Sequence, residues 1–217
     1  MTDFTNTPEL SESTETAISY STCYKPFFEN GDFYNEDCND TIAKLNDNSV
    51  DLVFTSPPYY NAREYSQYKD VADYMAQMEQ VFLGIERILK PSRMCVINIS
   101  PMLVEREKRS EQSYRIPLPF YFVPMMEKIG FEFLEDIIWK KPDGASANRN
   151  GGFYRHRKPV AYKPNIVTEY VLVFKKKANF LIDKILQNNS LVSDGYERTN
   201  VWEIQPETKS WHTAPFP

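Results

Sequence analysis

The chain has 217 residues and a formal net charge of −5, with 14 Tyr, 14 Phe and 3 Trp. That length supports one domain with a sizeable core; no apolar run approaches a membrane span and no signal peptide opens the chain, so a cytoplasmic protein away from membranes is expected. Cys23, Cys38 and Cys95 lack metal-type spacing and His156 and His212 are the only histidines, so no zinc site is expected and the cysteines read as structural thiols of a reducing compartment.

Residues 1–20 are rich in Ser and Thr and poor in large apolar side chains, the composition of a disordered tail ahead of a domain over 21–217. Asp32 to Asp37 reads as a short strand with an acidic end, and Asn39 or Asp40 as the cap of a short helix through Leu45. Val50 to Thr55 is a β-branched and aromatic run that reads as a buried strand. Asp70 offers an N-cap, and Val71, Tyr74, Met78, Val81, Phe82, Ile85 and Leu89 recur at three- and four-residue spacing, which predicts an amphipathic helix ending before Pro91. A strand is expected over Met94 to Ile99. A second helix is expected within Leu118 to Ile129, closing at Gly130, with Pro124 delaying its start. Phe131 to Lys140 and Thr168 to Lys176 read as further strands. This alternation predicts an α/β fold with a doubly wound, Rossmann-like sheet.

Two features carry chemistry. The first is Thr55-Ser56-Pro57-Pro58-Tyr59 at the end of the Val50 strand. Two prolines cannot donate to a ladder, so the strand stops and their carbonyls are free to face a cleft. A serine oxygen and a proline carbonyl beside a tyrosine ring suit a flat heterocycle bearing an –NH₂ group; an ordinary turn would use the same residues. The second is charge. Trp139 to Lys177 holds ten Lys/Arg against two Asp/Glu, a local +8 that leaves −13 for the rest of a chain at −5. Such asymmetry suits one face meeting an anionic partner, or a solvated basic loop. The Gly-, Asn- and Arg-rich segment Pro142 to Asn165 is long for an idle loop in a compact domain.

From about Phe33 to Pro217 the chain resembles the amino-group DNA methyltransferases, in the permuted class whose catalytic motif precedes the cofactor motif. The resemblance rests on Asp37, on Thr55 to Tyr59, and on Glu86-Arg87-Ile88-Leu89-Lys90-Pro91. It continues through Ile138-Trp139-Lys140-Lys141-Pro142, Glu169-Tyr170-Val171-Leu172-Val173-Phe174, Asn200-Val201-Trp202-Glu203-Ile204 and His212-Thr213-Ala214-Pro215-Phe216-Pro217. It implies methyl transfer from S-adenosylmethionine to an exocyclic nitrogen of a flipped base in double-stranded DNA, within a restriction-modification system. By the same resemblance Ser56, Pro57, Pro58 and Tyr59 are the catalytic residues, with Tyr59, Trp139 and Trp202 around the target base. Asp37, Thr55, His212, Ala214, Pro215 and Phe216 are expected at the cofactor. Lys140, Lys141, Arg149, Arg155, Arg157, Lys158 and Lys163 are expected against DNA, chiefly on phosphates, with residues 141–165 and about 178–200 as DNA-contacting insertions.

The serine form of the motif goes more often with cytosine N4 in this family, and adenine N6 stays open. Cytosine C5 chemistry needs a thiolate, commonly in a Pro-Cys dipeptide, and no cysteine here follows a proline.

The chain departs from the family in one respect. No two of its seven glycines have a single residue between them, so the Gly-x-Gly turn that approaches the cofactor is missing. Three expectations follow: one half of a split enzyme completed by a second chain, a truncated enzyme, or a DNA-binding module without transfer activity. A partial sheet also predicts exposed apolar edges, and with them a partner chain or self-association.

Overall fold

The computed structural model describes residues 31, 32, 34–60, 67–104, 108, 110, 111, 113–142, 166–180 and 198–205. The expected tail over 1–20, and 143–165 and 181–197 of the two expected insertions, lie outside the described residues. Helix α1 is Cys38–Lys44, β1 Val50–Thr55, α2 Val71–Ile88 and β2 Leu89–Ile99. The short strands β3 (Met102–Val104) and β4 (Tyr114–Ile116) follow, then α3 (Leu118–Ile129), β5 (Phe131–Lys140), β6 (Thr168–Lys176) and β7 (Val201–Glu203).

The expected elements over 50–55, 71–88, 118–129, 131–140 and 168–176 are all present. The expected strand over Asp32 to Asp37 is not: its described residues join no ladder, and Asp37 instead caps α1, its Oδ1 accepting from the Asn39 backbone N–H at 2.8 Å. Helix α2 starts as expected, with the Asp70 carboxylate accepting from the Asp73 N–H at 2.8 Å.

Strand β2 begins five residues earlier than expected because helix passes directly into strand at Leu89. Val50 pairs with Leu89 and Leu52 with Met94, so Lys90 to Arg93 bulge opposite Asp51, with Ser92 in the left-handed region at φ 65°. Asp51 ties the bulge down through Lys90 Nζ at 2.6 Å and Arg93 Nε at 3.0 Å. Pro124 does not delay α3. The carbonyl left without its N–H partner belongs to Phe120, which is exposed and open to water.

The main sheet runs β1-β2-β6-β5-β7. The β1–β2 and β5–β7 pairs are parallel, and β2–β6 and β6–β5 antiparallel. Strands β3 and β4, which periodicity did not reveal, form a separate antiparallel pair. Paired residues on neighbouring strands share a face. The register therefore gathers Cys95, Ile97, Ile99, Phe131, Leu172 and Phe174 on one face, all buried. Tyr74, Met78, Phe82 and Ile85 of α2 and Leu118, Phe122 and Met126 of α3 complete that core. Phe82 meets Phe122 edge-on at 5.8 Å between ring centroids.

The opposite face is open at the β1 edge. Leu52 is 59% exposed, Phe54 67% and Met94 43%. The Val50 to Thr55 strand, expected to be buried, is an edge strand among the described residues, covered on one face and exposed on the other. The expected exposed apolar edge is thus found at β1.

Candidate functional site

The site forms where strands end. β1 stops at Thr55 because Pro57 and Pro58 cannot continue the ladder with β2. Beyond it Ser56 is exposed, the Pro57 ring is buried, Pro58 is exposed and Tyr59 is half-buried against the core. A buried Pro57 ring anchors the turn and leaves Ser56 at its surface.

The Tyr59 hydroxyl donates to Glu169 Oε2 at 3.3 Å. Burial, and after it the neighbouring Glu169 charge, pushes the phenol well above the usual tyrosine range, while a hydrogen bond with Ser56 acts the other way. Tyr59 is therefore a neutral ring at physiological pH.

Glu169, the second residue of β6, collects more than Tyr59. Asn98 Nδ2, near the end of β2, donates to Oε2 at 2.9 Å, and Lys141 Nζ, just past β5, donates to Oε1 at 2.5 Å. The Glu169 and Lys141 side chains are only 15% and 16% exposed, so this ion pair is largely removed from water. Lys141 Nζ also lies 4.6 Å from the centroid of the Trp139 ring. Neither Glu169 nor Asn98 was singled out as a site residue by sequence reasoning. The basic count around Lys141 hid the fact that one of the two acids in that stretch neutralises it.

Trp139 and Trp202 face each other across the β5–β7 ladder, and Trp139 also pairs with Glu169 across β5–β6. Glu169, Trp139 and Trp202 thus form one row across three strands. Both tryptophans are half-buried, and both indole N–H groups are used locally: Trp139 Nε1 donates to the Ile204 carbonyl at 2.8 Å and Trp202 Nε1 to the Thr199 carbonyl at 3.0 Å. A pocket of about 250 Å³ opens beside this row, lined by Lys140, Lys141, Pro142, Glu203, Ile204 and Gln205. Lys140 bonds Glu203 at 2.6 Å on its rim.

The two described lysines expected against DNA therefore differ. Lys140 is 44% exposed and can be reached from solvent, whereas Lys141 is held inside by Glu169. Thr55 is half-buried at the end of β1. His212, Ala214, Pro215, Phe216, Arg149, Arg155, Arg157, Lys158 and Lys163 lie outside the described residues. No helix of the described residues is long and apolar enough to cross a membrane, and no cluster of three or more His, Cys, Asp or Glu among them could hold a metal ion.

The N6/N4 methyltransferase family model, described as DNA methylase, matches residues 50–217. Type II beta methyltransferase M.BslI of Bacillus sp. (strain NEB-606) is 33% identical over 195 residues; the match covers 83% of this chain and 20% of that protein, so the chain spans a fifth of that relative's length. A DNA modification methylase of Thermus thermophilus, complexed with S-adenosyl-L-methionine, superposes with a TM-score of 0.61 at 23% identity, over 83% of this chain and 67% of that one. PvuII DNA methyltransferase (cytosine-N4-specific) does so with a TM-score of 0.53 at 19% identity, over 81% and 57%. These two structures share the α/β methyltransferase fold, and the family match takes in β1 and everything after it, including the turn at Ser56 and the Glu169 row. The chain belongs to the N6/N4 DNA methylase family.

Proposed function

We propose that the chain is the target-base portion of an S-adenosylmethionine-dependent DNA methyltransferase of a restriction-modification system, acting on the N4 amino group of cytosine. The observation that carries this reading is the turn Ser56 to Tyr59. It leaves Ser56 exposed between the end of β1 and a buried Pro57, next to a neutral tyrosine moored at Glu169.

An exocyclic amine is a poor nucleophile because its lone pair is delocalised into the ring. Ser56 Oγ and the Pro57 carbonyl accept its two hydrogens. This fixes the nitrogen in place and favours the positive charge that develops on it. Tyr59 stacks on the extruded base, and stacking worth about 1–3 kcal/mol offsets part of the lost pairing. Lys140, at the rim of the pocket, meets a phosphate.

S-adenosylmethionine supplies an electrophilic methyl sulfonium. On this reading Thr55 and Asp37 serve one side of its site. Thr55 stands at the open β1 edge and Asp37 at the head of α1, but the chain holds no Gly-x-Gly turn to close the other side. Completion by a second polypeptide bearing that turn, or by a longer form of this one, accords with the exposed Leu52 and Phe54 at the same edge.

The test is nucleoside mass spectrometry of duplex DNA incubated with S-adenosylmethionine and the protein, alone and together with a polypeptide that carries the Gly-x-Gly segment. N4-methylcytosine is expected in the second arm. N6-methyladenine would overturn the cytosine assignment, and no methylated base in either arm would overturn the enzyme reading in favour of a DNA-binding module.

A further inference from the structure

We infer that Glu169 is a positioning residue of the base site, its carboxylate bracing the Tyr59 ring through the phenolic hydroxyl while Asn98 and Lys141 hold that carboxylate in place. The inference rests on the reading of Tyr59 as the stacking ring, but its geometric half stands apart from it.

Three donors from three separate parts of the chain converge on one carboxylate: Tyr59 Oη and Asn98 Nδ2 on Oε2, and Lys141 Nζ on Oε1. A carboxylate offers about four lone-pair directions, so this one is nearly saturated by the protein and has little freedom to rotate. Asn98 reinforces the point. Its Oδ1 is buried with no hydrogen-bond partner among the described residues. Such orphans are uncommon and destabilising. Here the unsatisfied oxygen follows from turning the amide so that its N–H faces Glu169.

Lys141 makes the brace rigid in a second way. The ion pair is sheltered from water and the ammonium also sits over Trp139, so Glu169, Trp139 and Lys141 hold one another. A ring that must stack on a base extruded from DNA gains from being fixed beforehand, since the ordering cost is then met on folding rather than on binding. Tyr59 also packs against the buried core to which Tyr74 of α2 belongs.

The test combines Glu169→Gln, Tyr59→Phe and the double variant, with two readouts. In protein labelled with ¹³C at tyrosine Cζ, the Tyr59 resonance, assigned by its absence in Tyr59→Phe, is expected to move at neutral pH in Glu169→Gln. In the complemented enzyme, Glu169→Gln is expected to lower kcat about tenfold with KM for DNA little changed. The effects of Glu169→Gln and Tyr59→Phe are expected to be non-additive, because glutamine leaves one oxygen for the three donors and both changes act on the same contact. An unmoved Tyr59 resonance, or effects that multiply in the double variant, would overturn the inference. Should Glu169→Gln fail to fold with Lys141 left unpaired, Glu169→Gln combined with Lys141→Met removes both charges and carries the same readouts. If the unmutated protein transfers no methyl group, the functional reading fails, and the NMR arm still decides whether Glu169 holds Tyr59.

Discussion

At the scale of single residues, Tyr59 and Cys95 differ in how burial is used. Tyr59 is buried on one side and bonded at its tip, the arrangement of a ring presented to something. Replacing it with alanine removes the stacking surface and leaves Ser56 and Pro57 in place. We expect Tyr59→Ala to lower kcat/KM for methyl transfer by about 1–3 kcal/mol, roughly five- to 150-fold, measured on a duplex carrying the target site. Tyr59→Phe keeps the ring but frees it from Glu169, so its loss should match the roughly tenfold loss of Glu169→Gln.

Cys95 is buried on the core face of β2, and burial alone pushes its thiol up to about 12. Its folded value lies above its unfolded one, so its contribution to stability is complete below about pH 9 and is lost as pH rises toward 12. The loss is about 1.4 kcal/mol per pH unit within that window. Denaturant midpoints measured from pH 8 to 11 should therefore fall more steeply in the native sequence than in Cys95→Ala. At pH 8 the folded protein should show the same number of fast-reacting thiols in both forms, and one more in the native sequence after unfolding.

At the scale of elements, the longest helix was legible because two independent signals agreed on it. Asp70 offered a cap, and apolar residues recurred from Tyr74 to Ile85 at helical spacing. The structure uses both. Strand β1 was legible as a strand but not in its burial. A run of apolar residues looks alike whether both of its faces are covered or only one, and here Leu52 and Phe54 are on the bare face. The Asp32 to Asp37 stretch misled because Asp37 serves the helix after it. The turn over Ser56 to Tyr59 was legible because it is local to four residues, two of them prolines that end a strand. Glu169 was not, since it stands 110 residues from Tyr59 and 71 from Asn98, and only the ladder brings them together.

The same long-range logic holds α1 in place. Arg87, in the last turn of α2, donates to the Ile42 carbonyl at 2.8 Å and to the Leu45 carbonyl at 3.0 Å, and pairs with Asp47. It adds a second donor to the Ile42 carbonyl, which already accepts from the Leu45 N–H at 3.1 Å, and serves the Leu45 carbonyl just past the helix. Gly84, one turn earlier, lets the helices approach, for a Cβ there would sit 2.8 Å from Ile42 Cγ2. Arg87→Ala should cost about 1–3 kcal/mol in denaturant unfolding. It should also raise amide exchange across residues 38–47 more than in α3, because α1 has no buried residues of its own to hold it.

At the scale of the whole molecule, the decisive feature is asymmetry of the sheet. One face is sealed by α2 and α3. On the other, Leu52, Phe54 and Met94 line up on adjacent strands β1 and β2 next to a β1 edge that pairs with no strand among the described residues. An open edge and an apolar face in the same place invite both strand addition and face packing. The Ser56 turn lies at the end of that same strand, so whatever covers the edge also approaches Ser56. Light scattering of the isolated chain should therefore show association that deepens with concentration, together with binding of a hydrophobic dye. Leu52→Lys with Phe54→Lys places two charges on the bare face and none in the core. The double variant should be monomeric and bind less dye, with unfolding stability changed by less than about 1 kcal/mol because both positions are exposed. It should also lose complementation by a polypeptide that supplies the Gly-x-Gly segment. A wild-type chain that is monomeric and binds no dye would mean that the face is already covered, and the double variant would then be strongly destabilised instead. The two variant outcomes are opposite in sign, so one pair of unfolding curves separates an interface from a core.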